Sequence, residues 1–232
     1  MNRYIANSGV CSRRDADELI AQGLVEVNGK VVTEMGYKVK PGDVVRYDGG
    51  TLRREELVYI LLNKPKDFIT TMDDPQERKT VMQLVAGACK ERVYPVGRLD
   101  RNTTGLLVLT NDGALAEKLT HPSNKISKVY QVELDRPLDR ADFNSIVEGG
   151  IVLEDGPVHV DEIAYVDGTK KVLGLEIHEG RNRIVRRIFE HLGYEVEKLD
   201  RTMYASLTKR DLPRGNWRFL TDKEVTRLKY QK

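Results

Sequence analysis

The chain has 232 residues, 40% hydrophobic and 32% charged, with Lys+Arg 38 against Asp+Glu 36 for a net charge of +2. That length suits one large domain plus a small one. The near balance of charge excludes a general polycation, so nucleic-acid binding would require basic side chains gathered on one face.

Two distant cysteines, Cys11 and Cys89, and four scattered histidines give no disulfide framework and no zinc spacing. No apolar run approaches the roughly 18 residues of a membrane span, and no signal-peptide pattern opens the chain. A soluble cytoplasmic protein without a metal is therefore expected.

Residues 1–48 read as a compact unit. Arg3-Tyr4-Ile5-Ala6-Asn7 predicts a short helix stopped by Ser8-Gly9. Ser12, with Asp15 three residues on, caps a second helix that ends at Gly23. Leu24–Val27 and Lys30–Val32 flank Asn28-Gly29, a strong hairpin signal. Pro41-Gly42-Asp43 then turns the chain into a strand over Val44–Tyr47. Residues 49–57 are polar, carry glycine and lack periodicity, which predicts a linker.

Residues 58–232 are expected to form the large domain. Val58–Leu62 and Leu106–Leu109 are unbroken apolar runs and predict central strands. Asn111-Asp112-Gly113 leads into a helix to Thr120, and Val129–Leu134 predicts a strand. A helix follows from Asp139 to Gly149-Gly150. Strands near Ile151–Leu153, Val158–Tyr165 and Val172–Ile177 precede a helix over Asn182–Leu192. Tyr194–Leu207 is expected to be extended, with a last helix over Asp222–Leu228.

Four stretches are candidates for chemistry. Arg13 and Arg14 occupy a first helical turn, where cations oppose the helix dipole, which points to a binding task for their guanidinium forks. Tyr94-Pro95-Val96-Gly97-Arg98-Leu99-Asp100-Arg101-Asn102-Thr103-Thr104-Gly105 sets one carboxylate in a loop between two strands. Arg98 and Arg101 flank it, and cations favour its charged form. On its own this is an ordinary polar loop. Lys128-Val129-Tyr130 opens a strand, where a lone tyrosine is usually half-buried packing. Glu179-Gly180-Arg181-Asn182-Arg183-Ile184-Val185-Arg186-Arg187 packs four arginines beside an apolar helical stripe, with only Glu179 and Glu190 as near partners in sequence.

These stretches together resemble the S4-domain ribosomal RNA pseudouridine synthases. Residues 3–14 and Gly23–Lys30 resemble the S4 RNA-binding domain, and the Gly97–Asp100 run resembles the synthase signature. The resemblance implies an α+β protein: a small S4 unit of the α-L type, then a mixed, mainly antiparallel sheet with flanking helices. It implies Asp100 as the catalytic carboxylate, Tyr130 as the residue stacked on the target base, and Arg181 as the cation paired with Asp100. It further implies that Arg3, Arg13, Arg14, Lys30, Arg98, Arg101, Arg183, Arg186 and Arg187 face RNA. The family usually has a polar residue, commonly Gln, where this chain has Ile184. The reaction needs no cofactor and no metal. The His121-Pro122-Ser123 and Lys128-Val129-Tyr130 contexts look most like members acting on 23S RNA, although members acting on 16S RNA share every motif named here, and a monomer is expected.

Overall fold

The computed structural model describes residues 1–230 and divides into two compact units, Met1–Val58 with Cys89–Arg92, and Tyr59–Ala88 with Val93 onward. In the first unit, α1 (Asn2–Ala6) and α2 (Arg13–Ala21) precede four short strands. These are β1 (Val25–Val27), β2 (Lys30–Val31), β3 (Val45–Tyr47) and β4 (Gly50–Thr51), paired in the order β2-β1-β3-β4. The expected cap of α2 forms in both directions: Asp15 N–H donates to Ser12 Oγ at 3.2 Å, and Ser12 N–H donates to Asp15 Oδ2 at 3.2 Å. Ile5, Ala16, Ile20, Val25, Val27 and Val45 make the small core.

The stretch expected to be a linker contains β4, which pairs with β3 in an antiparallel ladder. The cause is Asp48-Gly49. Both residues have positive φ, 50° and 73°, as Asn28 and Gly29 do at 53° and 77°. The same two-residue geometry therefore makes a second hairpin.

The second unit opens with β5 (Tyr59–Lys64), α3 (Val81–Leu84), β6 (Tyr94–Pro95), β7 (Thr103–Thr110) and α4 (Gly113–Thr120). Next come β8 (Lys128–Leu134), α5 (Arg140–Val147), β9 (Val152–Leu153), β10 (Gly156–Pro157), β11 (Glu162–Tyr165) and β12 (Val172–Ile177). Then α6 (Ile184–His191), β13 (Val196–Tyr204), β14 (Leu207–Thr208), β15 (Trp217–Phe219) and α7 (Asp222–Tyr230) complete it. Residues 81–84 and 217–219 carry no clear period, and these elements are additions to the sequence reading.

One sheet runs β11-β12-β8-β13-β7-β5-β15, with β14 on β13 and β6 on β7. Every strand pairing in it is antiparallel except β13 with β7. The mixed, mainly antiparallel α+β arrangement expected from the sequence is what forms. β5 and β7 are buried on both faces, so their apolar runs do not alternate. Leu61, Leu106 and Val108 meet Leu115 and Leu119 of α4 and Leu228 of α7 on one face. Each such fully buried leucine contributes roughly 1.5–3 kcal/mol of transfer free energy.

Candidate active site

A cavity of about 260 Å³ lies in the second unit, lined by residues before and within β7, by β8, by β13 and by the turn into α6. Asp100, Tyr130, Arg181 and Arg183 all line it, as does Arg98. Thus Asp100, Tyr130 and Arg181, up to 81 residues apart in the chain, meet in one place.

The loop carrying Asp100 is tied down through its backbone. Lys64, at the end of β5, is fully buried, and its ammonium donates to the carbonyls of Thr103 (2.8 Å), Asp100 (3.0 Å) and Pro65 (3.2 Å). Burial pulls this ammonium down to about 8, against the opposing pull of Asp100 and Asp67. Thr70 grips the neighbouring residue from both sides. Its Oγ1 donates to Leu99 O at 2.7 Å and accepts from Leu99 N–H at 3.2 Å. Asp100 therefore projects from a backbone held by buried donors, while its own carboxylate remains 39% exposed.

The cation nearest that carboxylate is Arg183, with Nη1 3.7 Å from Asp100 Oδ2. This corrects the expected pairing with Arg181. Arg181 is captured elsewhere, by its near neighbour Glu179 at 2.7 Å and by two acceptors distant in sequence, Asp155 at 3.0 Å and the carbonyl of Pro157 at 2.7 Å. Arg183 caps α6 in a left-handed conformation, φ 49°, and divides its guanidinium between Asp100 and Glu190.

Two other arginines also differ from expectation. Arg186 is buried, not presented to a ligand; its Nη1 donates to Val196 O at 2.8 Å. Its pKa is lowered, chiefly by burial and then by Arg183, with Asp100 opposing. Arg187 is clamped by Asp155 through contacts of 2.6 and 2.9 Å, and holds that carboxyl down at about 2. The α6 stripe of Ile184, Val185, Ile188 and Phe189 is core, as its spacing predicts.

Tyr130 is buried on β8 directly across from Arg201 on β13. Sequence reading passed over Arg201, whose neighbours in the chain carry no motif. Lys128 was noticed only as context for Tyr130. Both line the cavity. Lys64 was missed too, since nothing in a Lys-Pro pair says which carbonyls it will reach.

Arg101 is exposed and pairs with Asp67 at 3.3 Å, outside the cavity lining. Arg3, Arg13, Arg14 and Lys30 belong to the first unit, are exposed, and make no ion pair among the described residues. No group of three or more His, Cys, Asp or Glu side chains able to hold a metal occurs among the described residues. No described helix is long and apolar enough to cross a membrane.

Comparison with known proteins follows this division. Residues 58–191 match the family model described as RNA pseudouridylate synthase, and residues 2–45 match the S4 domain. The chain is 45% identical over 233 residues to the ribosomal large subunit pseudouridine synthase B of Bacillus subtilis, covering 99% of this chain and 95% of that one. It is 39% identical over 231 residues to the dual-specificity RNA pseudouridine synthase RluF of Escherichia coli K12, covering 98% of this chain and 77% of that one. A solved structure described as a pseudouridylate synthase superposes with a TM-score of 0.71 at 29% identity, covering 98% of each chain.

Proposed function

The chain belongs to the RNA pseudouridylate synthase family and carries an S4 domain ahead of its synthase domain, and on that footing we propose that it converts a uridine of ribosomal RNA, in the 23S molecule, to pseudouridine. The observation that carries the reading is the meeting of Asp100 and Tyr130 in one open cavity beside Arg183. Such a cavity admits a single base swung out of an RNA strand, and Tyr130 offers a ring face to stack on it.

In this reading Asp100 starts the reaction. Either its carboxylate bonds to ribose C1′ as the C1′–N1 bond breaks, or it removes the C2′ proton so that the C–H pair closes a double bond to C1′. Both routes send the C1′–N1 electron pair out with the base. The base turns and C5 bonds to C1′, as the C1′–carboxylate bond breaks on the first route or as C2′ takes back its proton on the second; the C5 proton then leaves and N1 takes up a proton. Nothing is oxidised and no group is donated, so the scheme requires no cofactor. Arg183 keeps a positive charge beside Asp100, and Lys64 holds the loop that aims it.

The S4 domain would grip structured RNA through phosphates, using exposed Arg3, Arg13, Arg14 and Lys30. In the second unit, Arg98 at the cavity and exposed Arg101 would also contact RNA. The protein would act as a cytoplasmic monomer. The test is to incubate the full chain with 23S and 16S transcripts and map pseudouridine by base. A new site in 23S RNA supports the proposal; sites in 16S RNA alone would move the substrate, and none in either would reject the reading.

A further inference from the structure

The lining of the cavity carries five Lys or Arg side chains, Arg98, Lys128, Arg181, Arg183 and Arg201, and two carboxylates, Asp100 and Glu179. Glu179 is taken by Arg181, and Asp100 faces Arg183. Lys128 and Arg201 have no carboxylate partner among the described residues. Lys128 Nζ donates only to the carbonyls of Ile126 (2.9 Å) and His178 (3.0 Å). Arg201 is 3% exposed, donates Nε–H to Leu106 O at 2.8 Å, and has a terminal nitrogen buried with no partner. Its guanidinium lies over the Tyr204 ring, 4.4 Å from the centroid.

A buried arginine beside a half-buried lysine, neither ion-paired and with Asp161 the opposing charge felt by the lysine, is costly unless a ligand supplies more negative charge. Their location says which part of the ligand. Lys128 and Tyr130 are two apart on β8 and so share a face. Tyr130 pairs with Arg201, and Lys128 pairs with Tyr204. An irregularity in β13 after Arg201 keeps Arg201 and Tyr204 on the cavity side although they are three residues apart. Asp100 lies at the other end, just before Thr103, which pairs with Leu199. Moving along β13 from Leu199 to Tyr204 therefore leads from Asp100, past Tyr130 and Arg201, to Lys128.

We infer that Lys128 and Arg201 form the wall of the cavity that holds the negative charge of the uracil while it is detached from the ribose. The inference rests on the synthase reading above. When C1′–N1 breaks with its electron pair on the base, the charge spreads from N1 to O2, O4 and C5. With the ribose at Asp100 and the ring on Tyr130, the carbonyl edge is directed toward the two cations. Oriented cations held in place by the fold stabilise such developing charge without reorganising. A phosphate is the weaker match for this wall, because with the ribose at Asp100 the base is the part of the flipped nucleotide that reaches it. When C5 bonds to C1′ the charge is consumed and the wall is ready for the next base.

Burial draws the Lys128 ammonium down to about 8, Arg201 adds to that pull, and Asp161 opposes it. The titratable and charged groups facing it are Arg201 and Tyr204 from β13, Tyr130 on its own strand, Asp161 before β11, His178 after β12 and His121 after α4.

The test is single-turnover pseudouridine formation by the full chain on a ribosomal RNA transcript, with RNA affinity measured in parallel. Lys128→Met should slow the step about 100-fold while changing the Kd for RNA less than about threefold. Lys128→Arg should restore most of the rate and lessen the fall in rate expected of the native protein as pH rises through about 8. A Met variant within about twofold of the native rate, or one whose Kd worsens as much as its rate, would overturn the inference. A Lys128→Arg variant as slow as Lys128→Met would overturn it as well. Absence of pseudouridine with the native chain would instead reject the synthase reading itself.

Discussion

Gly105 and Arg201 oppose one another in the single parallel pairing of the large sheet, so closely that a Cβ at position 105 would fall 2.3 Å from the carbonyl oxygen of Arg201. Gly105 also has φ +108°, a conformation that side-chain-bearing residues rarely adopt. The close approach lets Arg201 Nε–H reach Leu106 O and fixes its guanidinium at the cavity.

Gly105→Ala is therefore expected to destabilise the protein by on the order of 3 kcal/mol, from backbone strain and overpacking against backbone atoms that cannot yield. Urea denaturation gives the value. A midpoint equal to the native one would mean the two strands separate freely at this point.

Lys64 is expected to govern the aim of Asp100 through the loop backbone. Lys64→Met removes an ammonium from buried carbonyls of Pro65, Asp100 and Thr103. A loss of about 1–3 kcal/mol in stability is expected, with kcat falling far more than KM changes. Retention of native kcat would show that the loop keeps its shape without the lysine.

Arg183 and Arg181 should separate in their effects. Arg183→Ala removes the cation 3.7 Å from Asp100 and is expected to lower kcat about 100-fold. Arg183→Lys should recover part of it. Arg181→Ala frees Glu179 and Asp155 and is expected to act mainly on thermal stability. The reverse order in steady-state kinetics would return Arg181 to the role expected from the sequence.

Acid sensitivity has a specific source in Glu224. Arg218, through contacts of 2.7 and 2.8 Å, holds this carboxyl near 2 against an ordinary 4.5, with Thr221 assisting. Because the folded-state value lies below the unfolded one, the stabilisation is complete above about pH 4.5 and is lost as pH falls toward about 2. Arg218→Ala should therefore flatten the decline in urea midpoint between about pH 6 and about pH 3. An unchanged slope would exclude this pair as a contributor.

Local signals carried much of the fold. Ser12 with Asp15 and Asn28-Gly29 act within a few residues, and their geometry follows from side-chain chemistry alone. Asp48-Gly49 carries the same hairpin signal, but lies in a polar stretch without flanking alternation, so β4 was read as linker. β15 has no apolar run and is defined by its partner, β5. At the site, Asp100 and Tyr130 were chosen through resemblance, and both line the same cavity. The choice of Arg183 over Arg181 was not legible, because it is decided by Asp155, 26 residues before Arg181 in the chain. Arg201 was invisible for the same reason: its surroundings come from β7, β8 and Tyr204.

The central claim is that Asp100 starts the chemistry on a uridine held in this cavity. Release of tritium from C5-labelled uridine in ribosomal RNA measures it most directly, with RNA binding followed alongside. Asp100→Asn should abolish release while leaving RNA affinity largely intact. Native release by that variant would contradict the account.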